Sequence, residues 1–186
     1  IIDGVALTKF IYWIKNKERL NITEVDAQNK LEKIRKKNSK YLYPSFNTIA
    51  GSGKNGAIVH YRATKNKTKI LKKNEIFLCD SGGQYKFGTT DVTRTICFSN
   101  QKENIKKIFT NVLKGHIAVA ETNISKKTTG KLIDKEARKF LKKDGLDYNH
   151  GTGHGVGFFL NVHEGPQAIS KSNSIKIQEG MILSNE

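Results

Sequence analysis

Cysteine and proline are both scarce in this chain, which has two residues of each among 186. So few cysteines exclude a small secreted scaffold built on disulfides, and so few prolines exclude a collagen-like or proline-rich polypeptide. The two thiols, Cys79 and Cys97, lie in apolar runs of strand-like composition. We therefore interpret both as free thiols packed in a protein interior and kept reduced.

Long apolar runs are missing as well. No stretch of about 18 apolar residues occurs, so the sequence predicts no membrane-spanning helix. The N-terminal segment IIDGVALTKFIYWIKNKERL places apolar side chains at helical spacing, without a basic start or a small-residue cleavage pattern. We interpret it as a core helix and not as a signal peptide. With 37% hydrophobic residues the chain can bury one sizeable core. We expect a single domain over residues 1–186 with no membrane partner.

Acidic residues are few, with 17 Asp and Glu against 33 Lys and Arg, which gives a net charge of +16. A balance of this kind is typical of proteins that bind nucleic acid or acidic membranes. Here, however, only five of the basic residues are arginine, the lysines are scattered, and no interleaving with aromatic residues resembles an RNA-binding stripe. We interpret the charge as solvated surface lysines and expect no specific nucleic-acid partner.

Two acids and a glycine-framed histidine cluster stand out from this background. Asp80 ends the apolar run IFLC, Asp91 lies in a Thr-rich segment with β character, His154 lies in NHGTGHGVG, and Glu186 is the last residue. A strand, a glycine-containing turn and a second strand would place the two aspartates side by side. Three carboxylates and an imidazole suit Mn²⁺, Co²⁺ or Zn²⁺, and paired carboxylates can hold two ions about 3.5–4 Å apart.

Ordinary explanations exist for each of these residues taken alone. An aspartate after a strand, such as Asp80, is often a turn or cap residue, whereas a charge inside a strand, as at Asp91, is costly unless it has a partner. His150, His154 and His163 fall within 14 residues and alternate with glycines, which is not typical of core packing. Together these residues predict a metal site, although the histidine cluster alone supports metal binding more firmly than catalysis.

Helical periodicity predicts four helices. We expect them over residues 1–18, after Thr23 with Asp26 as a capping pair, over 101–120, and over 129–143 with Gly145 as its C-terminal cap. The inward face of the last helix is predicted to carry Leu132, Ile133, Ala137 and Phe140.

Extended segments are predicted over residues 43–50 and 58–62, with His60 at the end of a strand and the GSGKNG segment as a turn. Strands bracketed by helices in this way predict an α+β fold with a largely antiparallel sheet.

Five blocks of the sequence carry a family resemblance. They are GSGKNGAIVHY, DSGGQYKFGTTDVTRT, LKGHIAVA, LDYNHGTGHGVGFFLNVHEGP and GMILSNE, in order from residue 51 to 186. The chain resembles the catalytic domain of aminopeptidase P (Xaa-Pro aminopeptidase) of the cytosolic eukaryotic type. That family belongs to the "pita-bread" metallopeptidases, which include prolidase and methionine aminopeptidase. The resemblance covers essentially the whole chain and implies an α+β pita-bread fold.

The resemblance implies a ligand set for two divalent ions, most often Mn²⁺. Asp80, Asp91, His154 and Glu186 fall on four of the five ligand positions. Asp91 would bridge both ions, Asp80 would chelate one, and His154 and Glu186 would belong to the other. The fifth ligand of the family is a second glutamate downstream of the SNE segment. The resemblance therefore implies a partial catalytic domain, truncated at its C-terminus.

The same comparison implies roles for three histidines, His60, His150 and His163, which fall on the substrate-handling positions. His163 would stabilise the developing oxyanion, His60 would hold the scissile peptide, and His150 would line the pocket beyond the scissile bond. Glu186 would also move the proton of the attacking water. The implied catalytic residues are thus His60, His163 and Glu186.

The activity implied is removal of the N-terminal residue from peptides with proline second, by an enzyme that is usually a homodimer. Two alternatives stay open. A prolidase would cleave Xaa-Pro dipeptides, whereas some relatives of the fold have lost their ligands and act as binding modules for nucleic acid or chromatin proteins. The segments GTTDVTRT and NVHEGP favour aminopeptidase P over prolidase and over methionine aminopeptidase.

Overall fold

The computed structural model describes residues 1–16, 21–159 and 161–186. It divides into two compact units, one made of Ile1–Asn100 with Phe158–Val162 and one made of Gln101–Gly157 with His163–Glu186. Each unit combines helices with antiparallel strands, so the predicted α+β class with antiparallel pairing is confirmed. That the whole chain acts as one catalytic domain stays a prediction.

The first unit places two helices beside two small antiparallel sheets. Its described elements are α1 (Ile2–Lys15), α2 (Glu24–Arg35), β1 (Tyr41–Pro44), β2 (Ile49–Ser52), β3 (Ile76–Ser81), β4 (Gly83–Tyr85), β5 (Gly88–Thr89) and β6 (Val92–Cys97). The strand order is β2-β3-β6 in one sheet and β1-β4-β5 in the other. The GSGKNG segment enters a short 3₁₀ helix, Gly53–Ala57, after β2.

Helix α2 begins where its capping signal predicts. The Thr23 hydroxyl accepts a hydrogen bond from the Asp26 backbone N–H, and the Asp26 carboxylate accepts one from the Thr23 N–H. This reciprocal pair satisfies two N–H groups that a helix start leaves without partners. Helix α1 ends at Lys15, and positions 17 and 18 of the predicted first helix lie outside the described residues.

The core of the first unit lies between these helices and β3. Phe10 and Ile14 of α1, Leu31 of α2, and Phe77 and Cys79 of β3 are all fully buried in one cluster. Burial of the Cys79 thiol raises its pKa to about 12, because an apolar interior disfavours the thiolate. The two cysteines are not joined, as predicted, although Cys97 is only partly buried.

The second unit has two helices that pack on each other, one of which also packs on a two-stranded sheet. Its described elements are α3 (Glu103–Ala120), α4 (Gly130–Lys143), β7 (Gly153–Val156) and β8 (His163–Ile169). The predicted end of α4 is confirmed, because Gly145 has a φ of 72° and its N–H donates to the Lys142 carbonyl. In the part of the chain that the structure describes, no helix is both long and apolar enough to cross a membrane.

Two local predictions are wrong. Residues 58–62 do not form a strand, because the chain turns there with the Tyr61 N–H donating to the Ile58 carbonyl. The buried face of α4 is also rotated from the predicted one. Leu132 is 46% exposed, whereas Asp134 and Arg138 are buried beside Ile133. Hydrophobicity alone misplaces this face because a paired charge can be buried as completely as an aliphatic side chain.

Candidate metal centre

Antiparallel pairing brings Asp80 and Asp91 to one face of a sheet. In the β3–β6 ladder Asp80 lies opposite Thr93 and Ser81 opposite Val92. Asp91 comes one residue before Val92, so it shares a face with Thr93 and is the diagonal neighbour of Asp80. Diagonal neighbours on one face of a sheet lie about 7–8 Å apart, a distance that long side chains can bridge.

This face is the one that turns away from the core. Phe77, Cys79 and Ser81 of β3 are buried, whereas the alternate residues, Asp80 among them, are only partly buried. Asp91 is also partly buried. The period of two in a strand therefore places both carboxylates on the partly exposed face, opposite the buried side chains.

The connection between the two acids is longer than the single turn predicted. Strands β4 and β5 intervene as a second hairpin. At the base of this hairpin, Gly82 packs against the facing segment so closely that a Cβ there would lie 1.9 Å from the Thr90 carbonyl oxygen. Only glycine fits at this contact, which keeps the two acid-bearing segments together.

His60 lies in a turn with a left-handed backbone, at a φ of 57°. A residue other than glycine in this conformation is uncommon, and such residues are concentrated at functional sites. The side chain is exposed. The predicted strand position for His60 is wrong, because the turn replaces the strand.

The segment that carries His60 is fastened to a buried carboxylate that sequence reasoning missed. Both oxygens of Glu24 are engaged, and the residue is fully buried. Oε1 accepts from the Ser52 N–H at 2.7 Å and the Asn55 amide at 2.9 Å. Oε2 accepts from the Tyr61 hydroxyl at 2.9 Å, next to His60. Burial, then this hydrogen bond to Glu24, raise the pKa of Tyr61 to about 12.

His154 and Glu186 meet within the second unit. Nε2 of His154 lies 2.8 Å from Oε1 of Glu186, and the two side chains are 16% and 37% exposed. Nδ1 of the same ring lies 2.8 Å from the Gly155 carbonyl oxygen. Because a carbonyl oxygen can only accept, Nδ1 carries a proton, and Nε2 faces the carboxylate.

Each ring nitrogen of His154 thus faces an oxygen acceptor, and a proton or a metal ion on Nε2 would satisfy the contact with the carboxylate. Burial raises the pKa of Glu186, but hydrogen bonds from His154 and Ser184 outweigh it and the net pKa is lowered. The carboxylate is therefore ionised at neutral pH. One imidazole nitrogen and one carboxylate oxygen at this spacing fit a borderline divalent ion.

Ser184 was not predicted to have a role, yet it joins these two groups. Its hydroxyl donates to Oε1 of Glu186 at 2.7 Å and accepts from the His154 backbone N–H at 2.9 Å. The Ser184 N–H also donates to the His154 carbonyl at 2.7 Å. A serine two residues before a candidate ligand was the only sequence signal for this contact.

The other two histidines of the cluster are exposed. The His163 ring packs edge-on against that of His154, with centroids 3.9 Å apart, so these two imidazoles lie together. His150 has its Nδ1 2.6 Å from the Gly151 carbonyl oxygen, and its ring packs against Tyr148. The second unit therefore gathers His154, His163 and Glu186, with His150 on the loop before them.

A buried ion pair on α4 holds that loop. Arg138 donates to the Asp134 carboxylate at 2.7 Å and to the carbonyl oxygens of Tyr148 and His150 at 2.8 and 2.6 Å. The Thr152 hydroxyl donates to the other oxygen of Asp134 at 2.8 Å. Glycine-rich backbone has high conformational freedom, so these anchors restrict the segment that leads into His154. An Asp and an Arg four residues apart were visible in the sequence, but such pairs are usually solvated.

Comparison with known proteins identifies the family. The model of metallopeptidase family M24 matches residues 1–186. The chain belongs to metallopeptidase family M24. Two curated M24 relatives bear the same name, probable Xaa-Pro aminopeptidase P. The Paracoccidioides lutzii protein is 48% identical over 193 residues and the Phaeosphaeria nodorum protein 45% over 192. Both alignments cover the whole of this chain, and they confirm the resemblance to aminopeptidase P.

Solved M24 structures share the fold. An X-prolyl aminopeptidase from Caenorhabditis elegans, described as a cytosolic enzyme with a di-nuclear active site, has a TM-score of 0.89 at 38% identity over 97% of this chain. An X-Pro aminopeptidase from Thermotoga maritima has a TM-score of 0.84 at 27% identity over 98%. The prolidase of Pyrococcus furiosus also has a TM-score of 0.84, at 28% identity over 98%. The predicted pita-bread fold class is confirmed.

These M24 relatives are longer than the chain. The chain spans 30% of the Phaeosphaeria protein and 31% of the Paracoccidioides protein. It spans 30% of the Caenorhabditis chain, 49% of the Thermotoga chain and 51% of the Pyrococcus chain.

Proposed function

We propose that the protein carrying this chain is a dinuclear-metal aminopeptidase, which releases the N-terminal residue from peptides with proline at the second position. The observation that carries the proposal is the His154–Glu186 arrangement, in which a carbonyl fixes the protonated ring nitrogen and the other nitrogen faces a carboxylate 2.8 Å away. Membership of the M24 family and relatives named Xaa-Pro aminopeptidase P support the substrate class.

The metal ligands in this proposal are Asp80, Asp91, His154 and Glu186. Carboxylate oxygens with one imidazole nitrogen favour Mn²⁺, and Co²⁺ or Zn²⁺ suit the same donors. Bound divalent ions supply a water of lowered pKa and polarise the scissile carbonyl.

The chain's own groups then move protons and hold the peptide. The Glu186 carboxylate accepts the proton of the attacking water and passes it to the leaving amine, while Ser184 keeps that carboxylate oriented. His163 donates to the oxyanion that develops on the scissile carbonyl, and His60 holds the peptide at its left-handed turn. These roles rest on side-chain chemistry and on the positions that these residues share with the family pattern.

Proline at the second position changes what the enzyme can recognise. An X-Pro bond is a tertiary amide without an N–H, so the substrate cannot donate a hydrogen bond to the enzyme from that nitrogen. Recognition must then depend on the shape of the ring and on the neighbouring carbonyls. We assign the ring pocket to the exposed His150 loop, whose backbone Arg138 fixes.

Prolidase activity is the second candidate, and the likeness to the Pyrococcus furiosus prolidase favours it. The higher identity to relatives named Xaa-Pro aminopeptidase P favours the longer substrate. The cytosolic description of the Caenorhabditis enzyme supports a cytoplasmic location for this protein. A homodimer is proposed on the family pattern alone.

The test compares two tripeptides, one with proline second and one with alanine second, incubated with the natural protein that carries this chain. Mn²⁺ or a chelator is added, and mass spectrometry identifies the released residue. Metal-dependent release from the proline peptide alone is the expected result. Cleavage of an Xaa-Pro dipeptide but of neither tripeptide would establish the prolidase instead, and cleavage of none would refute both.

Replacing Asp91→Ala should lower the activity by more than about 100-fold, because even the hydrogen-bond partners of metal ligands are worth about 10- to 100-fold. Asp144→Ala is the matched control, since Asp144 pairs with Lys107 on the surface of α3 and α4. It should leave the rate unchanged. Equal rates in the Asp91→Ala variant and the unmutated protein would contradict the assignment of Asp91 as a metal ligand.

A further inference from the structure

The first unit also contains a buried ion pair, which joins α1 to α2. The Arg35 guanidinium meets the Asp3 carboxylate at two points, Nε to Oδ1 at 2.7 Å and Nη2 to Oδ2 at 3.0 Å. The side chains are 1% and 3% exposed. Burial raises the pKa of Asp3, but the hydrogen bonds and charge of Arg35 outweigh it, so the net pKa is lowered. The pair is therefore a charged, bidentate contact inside the core.

The remaining hydrogen bonds of the pair go to both sides of the hairpin that bears the candidate aspartate ligands. Arg35 Nη2 donates to the Ser81 hydroxyl at 3.1 Å, and the Thr90 hydroxyl donates to Asp3 Oδ2 at 2.9 Å. Ser81 directly follows Asp80, and Thr90 directly precedes Asp91. One ion pair is thus bonded to the immediate neighbour of each of the two aspartates.

Thr90 is held from other directions as well. Its hydroxyl accepts from the Gly83 N–H at 2.9 Å, and its carbonyl accepts from the Ser45 hydroxyl at 2.8 Å. The same carbonyl sits against Gly82, where no Cβ fits. Displacing Thr90 would break these contacts and leave the buried Asp3 carboxylate short of a donor, which is costly in a low-dielectric interior.

We infer that Asp3 and Arg35 are positioning residues for the metal centre, which fix the spacing of Asp80 and Asp91 through Ser81 and Thr90. This inference rests on the proposed function, because it takes the two aspartates as ligands. The physical gain is preorganisation. Two carboxylates on one face of a sheet repel each other, and a hairpin with glycines at its base has little stiffness of its own. The buried ion pair, bonded to both segments of the hairpin, stiffens it and holds the two carboxylates at a fixed spacing.

A purely structural role for the pair makes a different prediction, and Tyr85 provides the comparison. Its hydroxyl also donates to Asp3, at 2.8 Å from Oδ1, but Tyr85 lies five residues from the nearer candidate ligand along the chain. Tyr85→Phe and Thr90→Val each remove one hydrogen bond to the same carboxylate. Only the second substitution touches a residue that adjoins a ligand.

The experiment measures the affinity for Co²⁺ by calorimetry and by the visible absorption of the bound ion, in the natural protein that carries this chain. Thr90→Val should weaken binding by about 10- to 100-fold and alter the absorption bands, as loss of a ligand's partner does. Thr90→Ser keeps the hydroxyl and should bind as the unmutated protein does. Tyr85→Phe should bind within about 2-fold of the unmutated protein, although it and Thr90→Val both lower the melting temperature of the metal-free form.

Equal affinities in Thr90→Val and the unmutated protein would overturn the inference. Equal losses in Thr90→Val and Tyr85→Phe would overturn it too, since they would reduce the effect to general stability. If the unmutated protein binds no Co²⁺, the metal centre itself fails and the inference fails with it. The unmutated protein therefore separates failure of the proposed function from failure of this inference.

Discussion

Arg138→Met tests whether a buried charge pair organises the histidine-bearing loop. Arg138 and Asp134 are each 2% exposed, so the substitution leaves the Asp134 carboxylate in the interior without its cationic partner, although the Thr152 hydroxyl still donates to it. Breaking one side of a buried pair costs about 3–5 kcal/mol. At about 1.4 kcal/mol for each factor of ten, the local opening equilibrium should rise by about 140- to 3,700-fold.

Hydrogen exchange followed by mass spectrometry reports this opening for α4 and for the residues after it. Lys139→Met is the matched control, because Lys139 is adjacent on the same helix and pairs with Glu136 where both side chains are about 40% exposed. An exposed pair of this kind is worth about 0–1 kcal/mol, so exchange should change by no more than about 5-fold.

The double variant Asp134→Asn with Arg138→Met identifies the cause. If the uncompensated carboxylate is responsible, removing its charge should recover most of the lost protection. If amide hydrogen exchange in the Arg138→Met variant is no faster than in the Lys139→Met variant, the reasoning is refuted, because the buried pair then contributes no more than a surface pair.

Two further predictions concern the first unit. The lowered pKa of Asp3 means that its pairing contributes stability above its unfolded pKa, and that this contribution is lost as the pH falls through the folded pKa. The difference in urea midpoint between the unmutated protein and Asp3→Asn should therefore shrink as the pH is lowered from about 7 to about 2.5, and a constant difference would contradict it. Cys79, with its raised pKa and full burial, should resist alkylation at neutral pH while the partly buried Cys97 reacts. Peptide mapping after labelling would show the reverse pattern if this assignment is wrong.

Much of the local structure follows from short-range signals. The capping pair at Thr23 and the glycine at 145 mark helix ends because backbone groups at those ends need particular partners or conformations wherever the helix is placed. The period of two in β3 likewise puts Asp80 opposite to the buried Phe77 and Cys79 without reference to distant residues.

Other features depend on residues far apart in the chain. The left-handed turn at His60 is held near Glu24, and the α4 face is turned by the partners that Arg138 finds in the 147–152 loop. A charge is buried only where enough donors and acceptors converge, and sequence spacing does not show which segments will supply them. Strand assignment at His60 and hydrophobic periodicity in α4 failed for this reason.

The fold class, the family and the residue types of the candidate site can all be predicted from the sequence, because motif spacing and local periodicity are properties of neighbouring residues. Only the tertiary structure showed that Ser184 joins His154 to Glu186, and that the buried Asp3–Arg35 pair is bonded beside both aspartates. These contacts link groups whose side-chain directions are set by packing. The residue types of the site are given by the sequence, whereas their geometry depends on the hydrogen bonds that buried polar groups form in the folded protein.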